Sequence, residues 1–331
     1  MGILVAGVVG IFLIMAVALL AMAKTLNAEK LFGMSLLSLI IFTGTLVGLS
    51  VLFLDLETQQ VVEGDIDEEI DDNIEEPLED TPDMNFTIAG INEETKSFPT
   101  FYEAVAAAKK QTPPSVVKYF DEIVWREMSE IPSRVLQVPL IFQFPELARG
   151  AEITSLAMML NYAEVSVNKM ELAEEITKDP TLLSITNGTV FFGNPYDGFV
   201  GDPYSFDRPG YGVYHGPIAD LAEQYLPGKI IDMTGAALED ILYPLHLGQP
   251  VWVMVHTKFS PLPESSFQTW KTPSGEVDIT FYKHSVLLTG YDDHFIYFND
   301  PLSREVNRPI SIERFEEAWL QMGQQAISYV K

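Results

Sequence analysis

Residues 143–162 read Gln143-Phe-Pro-Glu146-Leu-Ala-Arg149-Gly150-Ala151-Glu152-Ile153-Thr154-Ser155-Leu156-Ala157-Met158-Met-Leu160-Asn161-Tyr162. Apolar residues 153, 156, 157 and 160 recur at helical spacing, so the stretch predicts a helix starting just after Gly150. At such a start the unpaired N–H groups and the positive end of the dipole stabilise a thiolate or an oxyanion. A catalytic chain exposes a nucleophile at this place, but here it holds Ala151, which cannot act as one. Thr154 and Ser155 follow within a turn, yet a hydroxyl one turn away points elsewhere. The chain contains no cysteine at all. Disulfides, thiolate metal sites and iron–sulfur clusters are therefore excluded along with a thiol nucleophile.

Working outward, Pro250–His256 predicts a buried strand, and His284–Tyr291 and Phe295–Asn299 predict two more. The last two meet at Asp292-Asp293-His294. A hairpin centred there puts His284 opposite Pro301 and beside Asp300. The histidine and carboxylate then form a base-plus-orienter pair of the kind found in cysteine and serine hydrolases. A purely structural His–Asp contact at a strand end fits the same spacing. The remaining histidines, His215, His246, His256 and His294, show no metal-ligand spacing. Residues 186–214 are rich in glycine, proline and aromatics, which predicts a long ordered loop lining the substrate cleft.

Val138–Tyr162 resembles the first motif of the C39-like, papain-fold cysteine peptidase family, whose run is in essence Q-x-P-E-L-P-x-G-C-E-x-T-S-L-A-M. Further matches in the same order are Gly193-Asn194-Pro195, Gly198–Gly201, Gly210–Tyr214, Gly248–Val251, His284-Ser285-Val286, Gly290-Tyr291 and Asn299-Asp300-Pro301. The resemblance covers about 135–331. It implies an α+β, papain-like fold: a helix bearing the nucleophile position, packed on an antiparallel sheet bearing the histidine and the aspartate. It implies His284 as general base, Asp300 as its orienter, Gln143 as side-chain donor of the oxyanion hole, and Ala151 at the nucleophile position. Glu152, Asn194, Tyr211 and Tyr214 are expected to touch substrate. No cofactor or metal is implied. The departure at 151 leaves two readings: a cysteine peptidase whose nucleophile has been replaced, or a natural pseudopeptidase that binds a peptide or protein for a membrane complex.

The rest of the chain is unlike this domain. Residues 2–23 and 31–54 are uncharged apolar runs of bilayer-spanning length and predict a two-helix transmembrane hairpin over residues 1–55. The first run lacks a basic n-region and a second follows it closely, which argues against a cleaved signal peptide. Lys24 and Lys30 in the connector place it in the cytoplasm and everything beyond residue 55 outside the cell membrane. Between Asp55 and Glu94 stand sixteen acidic residues and no Lys or Arg, out of a net charge of −27 for the chain. That composition predicts a disordered, self-repelling stalk over 56–97. Asp65, Asp67, Glu69, Asp71 and Glu76 loosely echo a calcium loop, but Ile70 occupies the place of its glycine. So acidic a surface disfavours nucleic acid as a partner. Residues 98–132 predict a helical spacer: one helix over 99–111 and a second from Pro113-Pro114 to about Ser129. The peptidase-like domain then occupies 133–331.

Overall fold

The computed structural model describes residues 85–89, 95–128 and 132–331, all within the compact unit Glu79–Lys331. No helix among the described residues is long and apolar enough to cross a membrane. Both apolar runs and most of the acidic segment lie outside those residues.

The chain enters through a small antiparallel sheet. Strands β1 (Phe86–Ala89) and β2 (Thr95–Phe98) precede helix α1 (Phe101–Lys109), and β3 (Val117–Tyr119) and β4 (Glu122–Trp125) follow it. The sheet order is β2-β1-β3-β4. Helix α1 forms where the first expected helix lies; the Thr100 hydroxyl caps it by accepting the Glu103 N–H at 3.2 Å, and Lys109 sits in its last turn. Two expectations fail here. The acidic stalk cannot run to residue 97, because 86–89 and 95–98 are paired strands. The second helix, expected from Pro113 to Ser129, is a hairpin instead. Val117, Lys118 and Tyr119 alternate buried, exposed and buried, the period of a strand, and Phe120 turns the chain with φ 51°. The β-branched and aromatic side chains of this segment fit a half-buried pleated surface better than a helix face. Trp125 donates its indole N–H to the buried Asp240 at 2.8 Å, and Lys109 pairs with the same carboxylate at 2.8 Å. The segment is thus docked on the following domain.

That domain is built on a seven-stranded antiparallel sheet. In chain order it contains β5 (Arg134–Val135), α2 (Ala151–Tyr162), α3 (Lys169–Glu175) and five short strands: β6 (Lys178–Asp179), β7 (Ser184–Thr186), β8 (Thr189–Phe191), β9 (Phe199–Gly201) and β10 (Gly210–Gly212). Next come α4 (His215–Tyr225), β11 (Ile230–Asp232), α5 (Leu238–Ile241), α6 (Tyr243–Leu247) and β12 (Val251–His256). Strands β13 (Gln268–Thr272), β14 (Gly275–Ile279), β15 (Lys283–Tyr291), β16 (Phe295–Asn299) and β17 (Arg308–Ser311) lead to α7 (Ile312–Leu320) and β18 (Ala326–Tyr329). The central order is β11-β18-β12-β15-β16-β17, with β5 beside β15. Every residue of β12 is buried, as its apolar run Val251–Val255 requires, and so is nearly all of β15, although only Val286–Leu288 of that strand are consecutively apolar. Helix α2 lies against both strands, and its residues 151–160 are all buried. A mixed α+β fold with the nucleophile-position helix on an antiparallel sheet is what the sequence predicts.

The expected loop over 186–214 is more regular than its composition suggests. Asn187 and Gly188, both at positive φ, form a two-residue turn joining β7 to β8, and β9 pairs with β10. An Asn-Gly dipeptide is a strong hairpin signal, since this turn requires positive φ at both central residues.

Candidate active site

Ala151 is the first residue of α2, with Gly150 as its N-cap. A Cβ at Gly150 would fall against the Leu147 side chain, so only glycine admits the close approach. The first helical bond runs from the Thr154 N–H to the Gly150 carbonyl at 2.8 Å. The amides of 151–153 precede it and are not used by the helix. Thr154 and Ser155 are fully buried, with hydroxyls that meet no hydrogen-bond partner and no solvent. Neither can serve as a nucleophile.

On the sheet, the turn at Asp292 fixes the hairpin: its side chain accepts the N–H groups of His294 and Phe295 at 2.8 and 2.7 Å. Leu287 then faces Asn299 and Leu288 faces Phe298. This register carries His284 to Asp300, and the ring Nε2 meets the carboxylate Oδ1 at 2.8 Å, both side chains being buried. An ionised carboxylate only accepts, so Nε2 carries the hydrogen and Nδ1 is the ring's basic atom. Burial raises the Asp300 carboxyl, but the hydrogen bond and charge of His284, the Leu302 N–H and Arg308 outweigh it and hold the group below its ordinary range. The Leu302 N–H donates at 2.9 Å and Arg308 at 3.1 Å.

Gln143 joins the same place through its backbone, which donates to the Pro301 carbonyl at 2.9 Å. Its buried side chain donates one amide N–H to the Ala148 carbonyl at 2.9 Å. An amide NH2 has a second hydrogen to offer. Gln143, Ala151 and His284 all line one cavity of about 430 Å³, along with Arg149, Tyr211, Phe206 and Phe281. Helix start, side-chain amide and basic imidazole thus share one opening.

Glu152 lines this cavity too, but its carboxylate is taken. It forms a buried ion pair with Lys283 and accepts the Val213 N–H at 3.3 Å. Lys283 also lies over the Tyr211 ring at 4.9 Å. Loss of hydration and the nearby Arg149 draw the Lys283 ammonium down to about 7, whereas an opposite charge in contact favours the charged form. Gly212, at φ 132°, admits the pair because a Cβ there would strike both Lys283 Nζ and Glu152 Oε1. The pair joins the neighbour of Ala151 to the neighbour of His284. Sequence reasoning missed Lys283; 131 residues separate it from Glu152, and only its position before His284 hinted at it.

Of the residues expected to touch substrate, Tyr211 lines the cavity, while Asn194 and Tyr214 are not among its walls. Tyr214 is buried, with its hydroxyl bonded to that of Tyr211 at 2.7 Å. Asn194 shapes a turn by accepting the Tyr196 N–H at 3.0 Å and donating to Ser274 at 2.8 Å. Small polar side chains flanked by glycine and proline serve turns as readily as sites. Among the described residues no cluster of three or more His, Asp or Glu could hold a metal ion. His256 is a packed residue: it is buried, bonded to Gln321 at 3.1 Å, and pushed down by burial.

This arrangement follows the order of residues in a known family, and a profile described as Peptidase_C39 like family matches residues 135–327. The chain belongs to that family. Among curated proteins it is 45% identical over 183 residues to an uncharacterized protein, YvpB of Bacillus subtilis (strain 168), a match covering 55% of this chain and 70% of that one. Among solved structures it resembles a crystal structure of a candidate C39-like peptidase from Bacillus anthracis, at 48% identity and a TM-score of 0.56. That likeness covers 60% of this chain and 98% of the other. The family match begins at residue 135, so β1–β4 and α1 precede it.

Proposed function

We propose that the C39-like domain is the scaffold of a thiol peptidase acting on a peptide or protein, inactive as sequenced because Ala151 stands where a parent chain carries cysteine. The observation that carries this reading is the His284–Asp300 pair opening onto the cavity that also holds the start of α2. With cysteine at 151, His284 Nδ1 takes the thiol proton and the thiolate attacks the peptide carbonyl. The oxyanion is met by the backbone N–H of residue 151 and the free N–H of Gln143. The imidazolium then protonates the leaving amine, and water, deprotonated by the same ring, releases the acyl group. Asp300 keeps the ring in the tautomer this requires.

Ala151→Cys tests it. That variant should cleave members of a proteome-derived peptide library. Gln143→Ala added to it should cut the rate by roughly 10²-fold or more, as loss of one oxyanion donor does. Absence of cleavage, with peptides bound but intact, would replace the peptidase by the second reading. Ala151 itself favours that reading: a natural pseudopeptidase presenting a peptide or protein to a membrane partner.

Membrane anchoring through residues 2–23 and 31–54 belongs to the same proposal, resting on their uncharged composition and on Lys24 and Lys30. Protease added to intact spheroplasts should cut within residues 57–84 and release the domain. Protection until lysis would place the domain on the cytoplasmic side.

A further inference from the structure

A second cavity, of about 350 Å³, adjoins the first and shares Arg149, Gly210 and Phe281 with it. Its other walls are Leu183, Ile185, Val190, Phe192, Pro209, Gln268 and Trp270. The β7–β8 hairpin, with Leu183 just before it, supplies one side. The other is a fixed aromatic wall: Trp270 is buried, with ring centres of Phe192 at 5.3 Å and Tyr211 at 5.1 Å. Yet Ile185 and Phe281 stay 66% and 68% exposed at its rim.

Taking the peptidase reading as its base, we propose that this annex is the specificity pocket, receiving a bulky aliphatic or aromatic side chain of the peptide close to the scissile bond. Continuity with the first cavity fixes the occupant: an extended chain lying across Ala151 and His284 passes the shared wall of Arg149, Gly210 and Phe281. Successive peptide side chains stand ~3.3 Å apart along such a chain, so a residue within one or two positions of the bond reaches the annex. The lining gives an ammonium no carboxylate, and Arg149 at the boundary repels lysine and arginine. Glycine would leave the annex empty and its rim still exposed. A Leu, Ile, Met or Phe side chain would cover Ile185 and Phe281 and displace water from an apolar surface.

The test has two arms on one proteome-derived peptide library. In the first, Ala151→Cys cleaves the library and mass spectrometry reads the residues flanking each cut. The expected result is enrichment of large apolar residues at one fixed position. A peptide with leucine there should be cut at least about tenfold faster than its alanine counterpart. Adding Ile185→Asp, a change at an exposed position, should erase most of that ratio while the alanine peptide is still cut. Cleavage without positional preference, or a preference that Ile185→Asp leaves intact, overturns the pocket and not the peptidase. In the second arm the unaltered chain, carrying Ala151, captures peptides without cutting them. If Ala151→Cys cleaves nothing the peptidase reading falls, and capture decides the pocket alone. Enrichment of large apolar residues, lost with Ile185→Asp, sustains it, and capture without enrichment refutes it.

Discussion

Asp300 shows how single residues set the site's electrostatics. Its carboxylate is buried, and His284, Arg308 and the Leu302 N–H each favour its charged form. Its carboxyl group is held below the ordinary value, so the folded state binds its proton less readily than the unfolded chain. The stability it confers is fully present above the unfolded value of ~3.9 and is lost as pH falls through the lower folded value. Denaturant melts of the parent and of Asp300→Asn should therefore differ most near neutral pH and converge below about pH 4. A gap of constant size down to pH 2 would mean that the carboxylate's charge contributes nothing. This pair was legible in the sequence because a hairpin turn at 292–294 converts a separation of sixteen residues into contact. Gly150 likewise marked position 151. The Glu152–Lys283 pair was not legible, since the partners approach only once α2 has packed on β15.

At the scale of elements, that pair joins the start of α2 to the start of β15. Removing one partner of a buried ion pair leaves an uncompensated charge and costs about 3–5 kcal/mol, whereas replacing both by apolar residues is often neutral. Lys283→Met should therefore destabilise the domain strongly in denaturant unfolding, and Lys283→Met with Glu152→Leu should recover much of the loss. A single variant as stable as the parent would show that the pair does not hold the two elements together. Periodicity served well where a run was almost uniformly apolar, as in β12, and misled where apolar residues were few. Val117, Ile123 and Val124 admit a helical spacing, but pairing with β1 decided for strands. Pairing of β1 with β2 drew 86–89 and 95–97, within the segment read as stalk, into ordered structure, which composition averaged over forty residues could not reveal.

At the scale of the whole molecule, the family's match spans 135–327, and the small sheet of 86–125 docks on it through Asp240. The long apolar runs and most of the acidic segment stand before this unit in the sequence. The chemistry proposed for the domain depends on one assembly: the start of α2, the His284–Asp300 pair and Gln143 around a single cavity. The direct test is the reactivity of a thiol placed there. In Ala151→Cys, the helix start and His284 should both lower the thiol's pKa, so it should alkylate with iodoacetamide at pH 6, where an ordinary thiol of pKa ~8.5 is almost wholly protonated. We predict a rate at least about tenfold above free cysteine, lost when His284→Ala is added and untouched by Gln143→Ala, since alkylation forms no oxyanion. A thiol that reacts no faster than free cysteine, and is indifferent to His284→Ala, would contradict the account.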